Sequence, residues 1–444
     1  MATEQAINDP ALTPVVRLAA LDDYLAGGVD FPDWAVESNN HIHTCYSFSP
    51  YTPAGAALAA RRAGLRVVGS VDHDSLAAAS EMRAACEALG MGAVTGFEIR
   101  AFLHDGEGAF SDRKLNNPDS PGIAYLTVQG VPASARERVA EWLRPVREAR
   151  RERTLAMAER ANEVLVSLGF EPFDAEADMM ARSQFDAGGT VTERHLLAAM
   201  ASALIDGFGR GRCLVAGLTR MGLNLSEGMA AQLGDADNPH LVHDLLGTLK
   251  AEYLDRIYIQ PRRLREGGEC YSASEVVAFA RSIGAIPAYA YLGDVTASPT
   301  GDKKAETFED EFLDELFDEL DALGFPALTY MPPRNTAEQL ARIHALATAH
   351  GLLEISGVDI NTPRQSFACP ALRQPEYAFL NDATWALVAH EVLSDSEPAL
   401  GLLPASRLTA EQLTARIADY APLGRALADC VPVADVTHQA KELS

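Results

Sequence analysis

Basic residues are scarce in this chain: 37 lysines and arginines stand against 62 aspartates and glutamates, a formal net charge of −25 over 444 residues. Binding to a nucleic-acid backbone rests on Lys and Arg displacing counterions, so this balance argues against a nucleic-acid partner. Cysteines are also few, six of them, at 45, 86, 213, 270, 369 and 430. They form no C-x-x-C pair, so neither a zinc knuckle nor a redox motif is present, and they read as reduced thiols. Cys45, just past His43, reads as a small apolar filler. No apolar run approaches the ~18 residues of a membrane span, and the N-terminus lacks the basic, then apolar, start of a signal peptide. The expected location is therefore the cytoplasm, with no membrane partner. Internal repeats and low-complexity runs are missing as well.

What is present is a hydrophobic fraction of 48% in a chain long enough for one large barrel with insertions. Much of the acid falls at 306–321, where Glu309, Asp310, Glu311, Asp314, Glu315, Asp318 and Glu319 flank Phe308, Phe312, Leu313, Leu316, Phe317 and Leu320. That spacing reads as an amphipathic helix with a solvated acidic face.

The stretch around which the rest is organised is Asn40-His41-Ile42-His43-Thr44. Residues two apart in a strand project from one face, so His41 and His43 can reach the same cation. An H-x-H pair alone is weak, but Val71-Asp72-His73-Asp74-Ser75 and Gly96-Phe97-Glu98 follow it, each closing a short apolar run. Such runs read as strands whose ends face a site, and in parallel α/β architectures ligands gather at the C-terminal strand ends.

In order, residues 1–33 read as a lead-in with a short helix, Val15 to Leu25. A strand into His41 is followed by a helix over Pro53 to Ala63, a strand Arg66 to Val71, a helix Ser75 to Leu89 and a strand Ala93 to Phe97. This alternation predicts a parallel sheet, with 34–131 as the first part of a barrel. A strand at Ile123 to Gln129 follows a loop containing Pro118. From 132 to 265 the period is helical, which predicts an inserted helical unit that shapes substrate choice; its long stretch Glu137 to Leu168 is expected to break or kink at Pro145. The strand–helix rhythm resumes over 266–380, with strands at Ile286 to Ala290, Pro326 to Met331 and Leu352 to Gly357, and a helical closure occupies 381–444.

His41-Ile42-His43-Thr44, Ser70-Val71-Asp72-His73-Asp74, Gly96-Phe97-Glu98 and the late Gly357-Val358-Asp359-Ile360-Asn361 together resemble the motifs of the polymerase and histidinol phosphatase (PHP) family. The resemblance implies a distorted seven-stranded (β/α) barrel carrying divalent metals, with phosphate ester hydrolysis as the usual chemistry. The family's first metal is held by the H-x-H pair, the glutamate and the late aspartate, which maps onto His41, His43, Glu98 and Asp359. A metal-binding histidine between the glutamate and the later strands maps best onto His195, behind the N-cap Thr192, with His104 as the other possibility; the alternative for His195 is an ordinary helix histidine. Three usual ligand positions carry Ser49, Tyr291 and Asn361 instead, which leaves the third metal little besides His73. The resemblance thus implies one or two divalent ions, and imidazole with carboxylate suits Zn²⁺, Mn²⁺ or Fe²⁺.

Such an ion brings the pKa of bound water towards neutrality and so supplies a hydroxide nucleophile. Asp72, His73 and Asp74 are expected to orient ligands or to protonate the leaving group, with N-capping of the Ser75 helix as the alternative for the two aspartates. Arg334 and Arg364, each following a strand, are the expected phosphate readers, against the alternative of surface ion pairs. The function expected is a metal-dependent hydrolase of a small phosphorylated molecule. A C–N hydrolase of amidohydrolase type on the same site and a non-catalytic metal- or ligand-binding barrel are the other two readings.

Overall fold

The computed structural model describes residues 2–106, 108–117, 119–295 and 307–443. Among these residues the apolar runs form eight strands: β1 (Asn39–Ile42), β2 (Val67–His73), β3 (Gly92–Phe102), β4 (Ile123–Gln129), β5 (Tyr271–Ser272), β6 (Ile286–Ala290), β7 (Ala327–Tyr330) and β8 (Leu353–Ser356). They are ordered β1-β2-β3-β4-β6-β7-β8, and β5 pairs with β3 off that path. The chain beyond β8 then pairs with β1: the His43 N–H donates to the Ile360 carbonyl at 3.0 Å and the Ile360 N–H to the His41 carbonyl at 3.1 Å. The ring nearly closes, giving the expected distorted seven-stranded α/β barrel with surrounding helices. β1, β7 and β8 are buried at every residue; Asn39 and Asn40 of β1 are accommodated there by donating through Nδ2 to the Val358 and Ser356 carbonyls, each at 3.1 Å.

The expectation of a wholly parallel sheet is corrected at one strand. β4 runs antiparallel to both β3 and β6. A parallel neighbour needs a crossover over the sheet face, and between β3 and β4 no helix forms among the described residues, so the chain returns from the end at which it left. β3 also continues past Phe97 to Phe102, so Glu98 lies within a strand rather than at its end. Pro118 and Glu306 lie outside the described residues; the acidic helix is seen as Leu313–Ala322, with Leu313, Leu316, Phe317 and Leu320 buried.

Between β4 and β5 the long helix Arg136–Ser167 runs through Pro145 without a break. An interior proline costs about 3 kcal/mol. Val139, Leu143 and Val146, on either side of it, are buried against the barrel and each contributes about 1.5–3 kcal/mol, which outweighs the loss. Further along, helices Glu193–Phe208, Arg212–Arg220, Glu227–Gly234 and Leu241–Glu252 share a hydrophobic cluster with the later turns of the long helix, through Met157, Leu165, Leu197, Leu218 and Leu245.

The N-terminal end of the barrel is sealed. Helix Ala378–Ser396 packs Trp385, Leu387 and Val388 against Val67, Ile286, Ala327 and Leu353, which lie at the starts of their strands. Among the described residues this leaves the opposite end of the barrel, where the histidines lie, as the approach for a ligand.

Candidate metal centre

Strand register brings the first ligands together. β2 and β3 pair in parallel with His73 opposite Glu98, and His73 Nδ1 lies 2.8 Å from Glu98 Oε2. From β1, His41 Nε2 stands 3.4 Å from Glu98 Oε1, and His43 Nε2 stands 4.0 Å from Glu98 Oε2. Asp359 arrives through barrel closure: the Ile360 bridge to β1 places its Oδ1 3.3 Å from His43 Nε2. Gly357 permits that approach, since a Cβ there would lie 2.6 Å from the Cβ of His41. The donor atoms of His41, His43 and Asp359, and those of His43, His73 and Glu98, each form a group within 4.8 Å, with His43 common to both.

The orientation of His43 is set by Asp72. The Asp72 carboxylate accepts from the Thr44 N–H, the Thr44 hydroxyl and the Ser47 hydroxyl, each at 2.6 Å. Because Ser47 gives its proton to Asp72, its oxygen is the acceptor for His43 Nδ1–H at 3.3 Å. Burial would lower His43, but without a cation Asp359, Glu98 and Asp72 raise it, so Nε2 carries a proton towards Asp359. On metal binding the relay would keep the remaining proton on Nδ1 and free Nε2, as a ligating imidazole requires. Asn361 steadies the other side, donating through Nδ2 to Asp359 Oδ1 at 2.6 Å.

Burial sets the electrostatics. It pushes the His41 imidazole down to about 4, with Asp359 opposing and His43 adding to the effect, so His41 is neutral at pH 7. Burial also lifts the Glu98 carboxyl to about 8 against the pull of His43. Asp359 goes the other way: burial would raise it, but the hydrogen bond and charge of His43 hold it well below the usual carboxylate range. These donors fit a divalent cation. Tetrahedral bonds of ~2.1 Å place donors about 3.4 Å apart, close to the His41–Glu98 and His43–Asp359 separations of 3.4 and 3.3 Å. His73 Nδ1 is moreover buried without a hydrogen bond, because its 2.8 Å contact to Glu98 is out of line for one.

The other expected site residues lie outside these two groups. His195 is in neither; its Nδ1 accepts from the Thr192 N–H at 3.0 Å as part of a capping box, its ring meets Phe48 edge-on at 5.0 Å, and its Nε2 is buried with no hydrogen-bond partner. Asp74 has a left-handed backbone (φ 49°) that turns its carboxylate to Arg150. Neither Asp72 nor Asp74 caps the following helix, which starts only at Ala79 and has no side-chain cap. Arg364 grips Asp244 through Nε at 2.7 Å and Nη2 at 2.8 Å, and Arg334 donates from Nε to the Leu292 carbonyl at 3.2 Å. Of the replaced positions, Tyr291 donates to Asp310 at 2.5 Å, and Ser49 accepts from the Tyr51 N–H at 3.4 Å.

Sequence reasoning missed a buried charge network beside the site. Glu193, at the start of its helix, accepts from Arg100 on β3 at 2.9 Å and from Arg150 at 2.8 Å, and also pairs with Arg153. Glu269, just before β5, pairs with Arg100 and Arg153. The network joins the barrel to the helical segment. Its sequence signal is only the unusual run of arginines on one long helix, whose partners no local pattern identifies.

No family model matches the sequence, and no curated protein does. Among solved structures, the chain is similar to one from Bifidobacterium adolescentis provisionally assigned as a metal-dependent phosphoesterase, at 21% identity and a TM-score of 0.48, over 78% of this chain and 96% of that one. It is also similar to an amidohydrolase from Chromobacterium violaceum, determined with sulfate and no metal, at 16% identity and a TM-score of 0.47, over 74% of this chain and 89% of that one. Both likenesses are too distant to carry an assignment. No described helix is long and apolar enough to cross a membrane.

Proposed function

We propose that this chain is a metal-dependent hydrolase of the PHP type that cleaves a phosphate monoester or small phosphodiester. The observation that supports the reading is the convergence of His41, His43, His73, Glu98 and Asp359 at the open end of the barrel. His41, His43, Glu98 and Asp359 would hold one divalent cation, and His73 with the second oxygen of Glu98 would contribute to another. The donor set suits Zn²⁺, Mn²⁺ or Fe²⁺. When bound, the ion supplies a Lewis acid and makes water nucleophilic near neutral pH. The residues of the chain supply the rest: Asp72 and Ser47 fix the His43 tautomer, Asn361 orients Asp359, and the helix plug confines the substrate to one entrance.

Elemental analysis of the purified protein, followed by phosphate release from sugar, nucleotide and amino-alcohol phosphates with Mn²⁺ or Zn²⁺, tests the reading. One or two ions per chain and turnover of at least one ester are expected. Silence across the panel with hydrolysis of an amide, or no bound metal at all, would reject it. Asp72→Asn, which returns an N–H towards donors now satisfied by a carboxylate, is expected to weaken metal affinity about 10–100-fold. Chelator competition measures it, and an unchanged affinity would remove the relay from the account.

A further inference from the structure

Among the described residues four arginines are buried, Arg17, Arg100, Arg150 and Arg153, and every one of them meets a carboxylate. Arg194 does not, although it is shielded enough that its Nε is buried with no hydrogen-bond partner. Among the described residues its guanidinium meets only the ring of Phe48, 5.8 Å from the centroid. Its place is fixed on both sides. Glu193 before it is clamped by Arg100 and Arg150, and His195 after it closes the capping box with Thr192. Phe48, at the other end, belongs to the loop that follows the H-x-H strand and has a left-handed backbone (φ 83°), an uncommon state for a bulky residue.

The segment that carries Arg194 packs against the ligand-bearing strands: the Thr190 N–H donates to the Tyr46 carbonyl, three residues past His43, at 2.8 Å, and Arg100, which holds Glu193, stands two residues past Glu98 on β3. Beside that geometry, the charge of Arg194 helps to hold Asp359 ionised, and burial, opposed by Asp359 and Tyr125, brings Arg194 itself below its usual value. Tyr125 in turn lies beside His73, with ring centroids 5.5 Å apart. Among the described residues no ion pair joins Arg194 to Asp359, whose Oδ1 is taken by His43 and Asn361. A half-buried guanidinium whose Nε is shielded without a partner is costly, and its planar fork matches two oxygens of a phosphoryl group.

Resting on the phosphoester reading above, we infer that Arg194 is the substrate-reading residue, its forked N–H groups taking the non-bridging oxygens of the phosphoryl group at the metal centre. The role expected of Arg334 and Arg364 falls instead to a residue on the helical segment, so that segment contributes directly to the choice of substrate. Arg364 is spent on Asp244, and Arg334 on the Leu292 carbonyl.

Isothermal titration of inorganic phosphate into the Zn²⁺- or Mn²⁺-loaded full chain, with malonate as the carboxylate control, tests the inference. Arg194→Met is expected to bind phosphate about 10- to 100-fold more weakly, and Arg194→Lys to keep part of the affinity, with metal per chain and urea midpoint as in the wild type. Arg194→Met binding phosphate as tightly as wild type would overturn the assignment. A wild type that takes malonate but not phosphate, with malonate lost in Arg194→Met, would overturn the phosphoester reading while supporting Arg194 as the anion reader. A loaded wild type that binds neither anion would overturn both.

Discussion

His43→Ala is expected to empty the metal centre and to abolish hydrolysis. His43 is the residue common to both ligand groups, so its loss breaks the His41–Asp359 set and the His73–Glu98 set together. Removing an outer partner of a ligand costs about 10–100-fold in affinity or activity, and removal of a shared ligand should exceed that range. The series also has an order. Asp72→Asn and Ser47→Ala disturb only the orientation of the ring, through the 2.6 and 3.3 Å relay, and should fall between wild type and His43→Ala. Elemental analysis and phosphate release across the three variants check this; full metal content in His43→Ala would remove the basis of the proposed chemistry.

The second large effect is on stability. Glu193→Gln keeps the side-chain shape but leaves Arg100, Arg150 and Arg153 with one carboxylate fewer in a buried setting. Breaking such a set by removing one partner is expected to cost about 3–5 kcal/mol, because the remaining charge stays buried and uncompensated. The pH dependence carries a definite sign. Burial would raise the carboxyls of Glu193 and Glu269, but Arg100 and the neighbouring arginines hold both below the ordinary value of 4.5. Carboxyls depressed on folding stabilise the native state fully above that ordinary value, and the contribution is lost as pH falls through the depressed ones. The urea midpoint of metal-free wild type should therefore exceed that of Glu193→Gln at pH 7, and the gap should narrow below pH 4.5. Equal midpoints at pH 7 would show that the network contributes nothing, and a gap unchanged in acid would show that it acts through packing instead of charge.

The two predictions differ in how visible their residues are in the sequence. His41, His43, Glu98 and Asp359 stand at the ends of apolar runs, where strand geometry and the family motifs point to them directly, and β4 and β6 begin and end where the sequence places them. Asp72 and Asp74 show the limit of that reading. Both stand between a strand and a helix, the usual setting of an N-cap. The left-handed turn at Asp74 instead sends one carboxylate to Thr44 and Ser47 and the other to Arg150.

The sequence by itself determined the barrel, the helical segment between β4 and β5, and a cluster of imidazoles and carboxylates at one barrel end. Apolar period and strand ends are local properties, and the pairing of neighbouring strands carries them into space. Only the tertiary structure decided the antiparallel course of β4, the engagement of Arg364 with Asp244, and the seating of Arg194 beside Phe48 with its Nε buried and unpartnered. Those outcomes depend on which charges meet when distant segments pack. A long, flexible side chain on a helix has several partners within reach, and nothing in its neighbouring residues selects among them.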